Sequence, residues 1–304
     1  MSPVDLTTRI GSLRLKNPVT VASGTFGYGL DYADFYDPAC LGAMFLKGLT
    51  LAVREGNPPQ RLVETPSGMM NAIGLQNVGL ERFLSEKLPP LGGLDTVVAA
   101  NVCGSSLEEY VEVAARLAAA PRVDAVELNI SCPNVRRGGM AFGCVPESAA
   151  QITRAVRDAF PRPLIVKLSP NVTDIAEIAR AVEGAGADAL SVANTFLGLA
   201  IDVRTRRPKL GNVTGGLSGP AVRPLAVRLV WQAARAVRIP IVGQGGIMTW
   251  EDAAEFLLAG ASAVSLGTAN FVNPTAPLDV IAGLEAWLAE QGCTTVAEIV
   301  GGMK

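Results

Sequence analysis

Eight short apolar runs, at residues 18–23, 43–48, 96–102, 125–131, 164–169, 189–194, 240–245 and 263–267, alternate along this chain with stretches of helical periodicity. Near-continuous apolar strands mark a sheet buried on both faces, hence parallel strands covered by helices. The helices between them are legible. After the third run, Ser106 and Glu109 have capping-box spacing, and Leu107, Tyr110, Val111, Ala114, Leu117 and Ala118 form one apolar stripe. After the fifth, Ile175, Ile178, Ala179 and Val182 repeat the pattern, with Gly184 and Gly186 as the stop. After the seventh, Thr249 can cap onto Asp252, with Ala253, Phe256, Leu257 and Gly260 turned inward. Eight β–α units in this order predict an α/β fold of the (β/α)8, or TIM-barrel, class, as a single domain over residues 1–304. A doubly wound sheet would leave the last two strands without a natural place.

The opening segment, Leu6–Ile10 and Leu13–Leu15 around Gly11-Ser12, reads as a small β-hairpin capping the bottom of the barrel. Two long insertions, residues 50–95 and 197–221, leave the carboxyl ends of strands, where loop variation builds sites in barrels.

Bulk properties exclude several classes of function. Net charge is −2, with no Lys/Arg block, so neither nucleic acid nor an anionic membrane is indicated as a partner. The five cysteines, Cys40, Cys103, Cys132, Cys144 and Cys293, are widely spaced with no C-x-x-C pair. That argues against a disulfide framework or a metal site and for a reducing compartment. Charged residues interrupt the N-terminus before a secretory apolar run can form, and no stretch reaches membrane-spanning length. A cytoplasmic location is expected.

The chemistry concentrates at strand ends. The chain contains no histidine, the usual general base at neutral pH. In its place Glu127-Leu-Asn-Ile-Ser-Cys-Pro-Asn-Val135 reads as a strand ending in a cysteine just past its carboxyl end, and Cys132 becomes the candidate proton acceptor. A buried inert thiol is the commoner fate of the residue type, and the other four cysteines read as structural. Strand alternation pairs Phe45 with Lys47, Ala99 with Asn101, Glu127 with Asn129 and Ile165 with Lys167. If these faces are interior, two lysines and two amides converge at one end of the barrel, with Asn194 and Thr195 nearby. A core does not collect such groups without an anionic, acceptor-rich ligand to satisfy them. Gly245-Gly246 and Gly267-Thr268 follow strands seven and eight, where backbone N–H groups can approach a phosphate. Asn71-Ala-Ile-Gly-Leu-Gln-Asn77 offers amides to close over a planar polar substrate, and Asn134-Val-Arg-Arg-Gly-Gly139 reads as a lid. A flavin-free sugar-phosphate isomerase or related barrel would share the glycine sites.

Taken together, Ala22-Ser-Gly-Thr-Phe-Gly27, Asn57-Pro-Pro, Asn71–Asn77, Asn129–Asn134, Gly243-Gln-Gly-Gly-Ile247 and Gly267-Thr268 resemble the dihydroorotate dehydrogenases of pyrimidine biosynthesis, over nearly the whole chain. The resemblance implies one FMN in the barrel mouth and oxidation of (S)-dihydroorotate to orotate, with Cys132 and Lys47 as the catalytic pair. By motif position it assigns the flavin to Ser23, Lys47, Gly48, Asn101, Asn129, Lys167, Ala193, Gly219, Gly245, Gly246, Gly267 and Thr268. It assigns the substrate to Lys47, Asn71, Ala72, Ile73, Gly74, Leu75, Asn129, Asn194 and Thr195, some through backbone alone.

Within that family, a serine base and an N-terminal membrane-binding extension mark the quinone-linked type. Cys132, Val135-Arg-Arg-Gly-Gly139 and Phe142-Gly143 look more like the NAD-linked form than the fumarate-linked one. The NAD-linked form implies a second subunit carrying FAD and a 2Fe–2S cluster, in a heterotetramer built on a homodimer of this chain. The chain itself has no cysteine cluster for iron–sulfur binding. Gln244 departs from the pattern, which has methionine or another apolar residue before the glycine pair. The fumarate-linked type, a flavin barrel acting on dihydropyrimidine bases, and a non-catalytic flavin-retaining scaffold are the alternatives.

Overall fold

The computed structural model describes residues 4–131, 136–137 and 140–304. Eight strands close into one barrel: β1 (Val19–Val21), β2 (Ala43–Phe45), β3 (Val97–Val102), β4 (Ala125–Asn129), β5 (Leu164–Lys167), β6 (Ala189–Val192), β7 (Ile241–Gln244) and β8 (Ala263–Leu266). Sequence neighbours are spatial neighbours, every pair is parallel, and β8 closes onto β1 through Ser265 opposite Thr20. The ladders are shorter than the apolar runs. Residues 46–48, 130–131, 168–169 and 193–194 continue past them toward the carboxyl end of the barrel.

Helices α1 (Leu107–Ala118), α2 (Pro146–Ala159), α3 (Ile175–Gly184), α4 (Arg223–Ala234), α5 (Trp250–Leu258) and α6 (Ala276–Glu290) cover the outside. In α3 the buried side chains are the four that the periodicity selects. In α5 the Thr249–Asp252 box is complete. In α1 the inward stripe is Tyr110, Val113, Ala114 and Leu117, so Val113 takes the core position expected of Val111. The Ser106 hydroxyl caps the Glu109 N–H, but the Glu109 carboxylate accepts from Ser105 N at 2.6 Å instead of returning to Ser106.

The first β–α unit differs from expectation. Between β1 and β2 the helix is a single 3₁₀ turn, Pro38–Cys40. The preceding segment is rich in glycine and aromatic residues, and it packs by stacking Phe26 on Tyr32 at 4.5 Å. Such a sequence cannot sustain a helical stripe.

The floor of the barrel is apolar. Phe45, Ala99, Ala125, Ile165, Ala189, Val242 and Ala263 form one inner layer, and Ile10 and Leu15 of the N-terminal hairpin pack into it from below. The hairpin pairs Thr8–Ile10 with Leu13–Leu15, and Thr8 Oγ1 donates to Ser262 O, one residue before β8 begins. The plug therefore sits at the amino-terminal end, as the sequence predicts.

At the other end the two insertions combine. Leu62–Thr65 and Gly68–Asn71 from the first, with Phe196–Leu199 and Thr214–Ser218 from the second, build a four-stranded antiparallel sheet. Met70, Ala72 and Leu210 make its small core, while Leu197, Leu199, Ile201 and Val203 are exposed. Among the described residues no helix is long and apolar enough to cross a membrane.

Candidate active site

The alternation argument holds: because Phe45, Ala99, Ala125 and Ile165 line the inner floor, residues two positions further along their strands face inward one layer higher. There Asn101, Glu127 and Lys167 meet. Asn101 Nδ2 donates to Glu127 Oε2 at 2.6 Å, Ser191 Oγ donates to Glu127 Oε1 at 2.7 Å, and Lys167 Nζ stands 3.8 Å from Glu127 Oε2. Lys167 also reaches Ser23 Oγ at 3.5 Å, across the barrel mouth. Glu127, which the sequence places on the Asn129 face without a role, is thus the anion that organises two of the expected flavin contacts.

Cys103 joins this set from an unexpected quarter. It is fully buried, its Sγ lies 3.2 Å from Asn101 Oδ1, and Asn129 Nδ2 donates to it at 3.5 Å. A Cβ on Gly48 would come within 3.0 Å of both Cys103 Sγ and Asn101 Oδ1, so the chain passes close above both. The residue type gave no signal of this; only its place two residues beyond Asn101 did.

Lys47 is partly buried on the loop leaving β2, with its N–H bonded to Gly27 O at 2.9 Å. Burial lowers the pKa of its ammonium from the ordinary lysine value, and the neighbouring Arg61 pushes the same way, while Cys103 and Asp31 oppose them. Arg61 is a second cation near the mouth that sequence reasoning missed. Its guanidinium is spent on the loop itself, donating to Asn57 O at 3.2 Å and Gln76 Oε1 at 2.6 Å.

The expected substrate loop is tied down by the same residues. Ala72 N donates to Arg61 O, Asn57 N to Ile73 O, and Asn57 Nδ2 to Ala72 O, each within 2.8–2.9 Å. Gly74, at φ +77°, has no room for a Cβ, which would meet Asn57 at 2.6 Å. Leu75 follows with φ +58°. Asn77 is a structural amide, saturated by Thr50, Leu75 and Gly79. Asn71 lies beside Gly216 in the auxiliary sheet, and a Cβ on Gly216 would strike Thr195 Oγ1, so Asn71 and Thr195 are neighbours.

Thr195 in turn follows Asn194, whose Nδ2 donates to Ser131 Oγ, and Ser131 donates to Asn129 Oδ1 at 2.6 Å. The expected base, Cys132, is the next residue and lies outside the described residues, as do residues 133–135 and 138–139 of the expected lid.

The glycine positions also converge. Gly246, at φ +80°, would place a Cβ 2.7 Å from Gly219 O and 3.0 Å from Arg223 N, at the start of α4. Gly219 in turn approaches Thr268, whose hydroxyl donates to Ser218 Oγ at 2.8 Å. Gly245 abuts Ala226 of α4, Gly267 faces Ala22 beside Ser23, and Ala193 bonds through its N–H to Gln244 O at 3.2 Å. Gly219, Gly245 and Gly246 pack too closely for side chains, which brings backbone N–H groups together at one place, as phosphate sites require. The deep wall below holds two orphaned polar atoms, Gln244 Nε2 and Ser265 Oγ. Orphans of this kind, a glycine-opened cradle and two lysines together fit a phosphorylated, heteroatom-rich cofactor such as FMN. Among the described residues no group of three or more His, Cys, Asp or Glu could hold a metal ion.

Fold and site together define a (β/α)8 protein with a cationic, amide-lined mouth for an anionic ligand. Comparison with known proteins narrows that class: the chain belongs to the dihydroorotate dehydrogenase family, whose model, described as Dihydroorotate dehydrogenase, matches residues 5–288. It is 56% identical over 299 residues to a protein of Trichlorobacter lovleyi and 58% identical over 298 residues to one of Desulforamulus reducens, each match covering 98% of both chains. A Bacteroides fragilis protein is 53% identical over 300 residues, covering 99% of both. All three are named dihydroorotate dehydrogenase B (NAD(+)), catalytic subunit. The fold matches the crystal structure of the Eimeria tenella enzyme in complex with ferulenol, with a TM-score of 0.82 and 21% identity, over 98% of this chain and 88% of that one.

Proposed function

We propose that this chain is the FMN-binding catalytic subunit of an NAD-linked dihydroorotate dehydrogenase, oxidising (S)-dihydroorotate to orotate in pyrimidine biosynthesis. The observation that carries this reading is the meeting of Lys47, Lys167, Asn101, Asn129 and Asn194 at one barrel mouth, in a chain more than half identical along its length to proteins of that name.

FMN, when bound, supplies the hydride acceptor that no side chain can supply. Dihydroorotate loses a proton from C5 and a hydride from C6, and the C5–C6 bond becomes double. Cys132, as thiolate, takes the C5 proton. Lys47 pairs with the orotate carboxylate and would also counter the negative charge that a reduced flavin carries. Asn129, Asn194, Asn71 and Thr195 orient the pyrimidine ring by hydrogen bonds, and Ala72, Ile73, Gly74 and Leu75 wall it from water. Ser23, Gly48, Asn101, Lys167 and Ala193 hold the flavin, with Gly219, Gly245, Gly246, Gly267 and Thr268 cradling its phosphate.

Electrons leave through a partner subunit carrying FAD and a 2Fe–2S cluster, in a complex built on a dimer of this chain. The exposure of Leu197, Leu199, Ile201 and Val203 within seven residues is consistent with an assembled state. Anaerobic mixing of the purified chain with dihydroorotate tests the reading. Bleaching of a yellow chromophore with formation of orotate is expected; a colourless protein, or one whose colour persists, overturns it.

A further inference from the structure

Gln244 ends β7 and Ser265 lies opposite it on β8, the two being paired in the parallel register. Both point into the barrel, because Val242 and Ala263, two positions earlier on the same strands, belong to the inner apolar floor. Gln244 is 5% exposed and Ser265 3% exposed, yet Gln244 Nε2 and Ser265 Oγ have no hydrogen-bond partner among the described residues.

The other polar groups of the inner wall are satisfied. Glu127 is bonded by Asn101 and Ser191, and Thr20 donates to Val264 O at 2.9 Å. Among the described residues of the inner wall the unmet demand therefore falls on the β7–β8 side; Tyr36 Oη, Thr65 Oγ1 and Asn270 Oδ1 are orphaned outside it. The β7–β8 side is also where Gly245, Gly246 and Gly267 bring backbone without side chains to the strand ends. An orphaned buried amide is costly, and two such atoms on paired residues of the deep wall call for a partner that the described residues do not supply. The partner must carry hydroxyl or carbonyl groups close to the phosphate, because Gln244 directly precedes the glycine pair.

We infer that Gln244 and Ser265 bind the polyol chain of the flavin, forming a polar foothold between its phosphate and its ring. This rests on the FMN reading above and adds to it a specific pair of residues.

The test uses the full chain stripped of flavin and three probes: FMN, riboflavin, and lumiflavin, which has the ring without the polyol. Gln244→Met is expected to weaken FMN and riboflavin binding about tenfold, the loss of one good hydrogen bond, and to leave lumiflavin binding unchanged. The thermal midpoint of the flavin-free Gln244→Met chain should be equal to or above that of wild type, because an orphaned amide has been removed. Ser265→Ala should repeat the pattern with a smaller loss. Unchanged FMN affinity in both variants overturns the inference, and so does an equal loss for lumiflavin. A wild-type chain that binds none of the three probes overturns instead the FMN reading itself.

Discussion

Lys167 and Glu127 face each other inside the barrel at 3.8 Å, both almost wholly buried, on the adjacent strands β5 and β4. The carboxylate also accepts from Asn101 and Ser191, so its charge is shared among three partners. A buried cation that is paired is partly neutralised, and this leaves Lys47 as the more available positive charge for an anionic substrate.

Glu127→Gln removes the countercharge while keeping the shape. The uncompensated Lys167 should then favour a reduced, more anionic flavin, moving its midpoint potential in the positive direction. Breaking a buried pair from one side costs about 3–5 kcal/mol, so the melting temperature should fall as well. Spectroelectrochemistry of the flavin-loaded variant reads the potential. A potential equal to wild type would show that the pair does not govern charge at the flavin.

Lys47 gives a pH dependence with a definite sign. Burial and Arg61 hold its pKa below the ordinary 10.5, so it loses its proton at a lower pH folded than unfolded. Folding therefore disfavours the charged form, a penalty fully present below the folded pKa and relieved as pH rises toward the unfolded value. Lys47→Met should raise the melting temperature of the ligand-free chain at pH 7, with the gain shrinking at alkaline pH. Orotate affinity should decline in wild type as pH climbs through the lowered pKa, and should be weak and flat across pH in Lys47→Met. Titrations of orotate at pH 7 to 10.5 decide the matter; equal affinity in wild type and variant at pH 7 removes the carboxylate-pairing role.

Cys132 should set the opposite limb. An unperturbed thiol near pKa 8.5 is only a few per cent thiolate at neutral pH, so flavin bleaching by dihydroorotate should accelerate as pH rises toward the thiol's apparent pKa. Cys132→Ala should keep FMN and slow bleaching by roughly 10²–10⁴-fold. Cys132→Ser should keep part of the rate, shifted to higher pH. Stopped-flow measurement is the check, and near-normal bleaching in Cys132→Ala at pH 7 would dismiss it as the base.

The barrel was legible because its evidence is periodic. Apolar runs too short for helices, spaced by stripes such as Ile175–Val182, leave few alternatives, and the same alternation placed Asn101, Asn129 and Lys167 on one wall. What escaped was whatever depends on contacts between distant segments. Cys103 carries no mark of its position between two amides, and Asn57 and Arg61 gain meaning only where their chain meets Ala72 and Ile73. The missing first helix has a local cause, in that Gly24, Gly27 and Gly29 all take positive φ and break any helical register. Val113 displaced Val111 because a stripe read from sequence fixes a helix face only to within a residue or so.

The partner yields the last prediction. Hydride taken from dihydroorotate must leave the flavin for another turnover to begin. The chain has no G-x-G-x-x-G after an early strand, and the glycine cluster at Gly219, Gly245, Gly246 and Gly267 is the one proposed above for the FMN phosphate. A second nucleotide therefore has no evident seat here. The isolated chain should reduce artificial acceptors at a good rate and NAD poorly. Adding a subunit with FAD and a 2Fe–2S cluster should restore NAD reduction in proportion to complex formed, measured as NADH absorbance against partner concentration. Efficient NAD reduction by the chain alone would count against the two-subunit route, and rapid turnover with fumarate would place the chain with the fumarate-linked type instead.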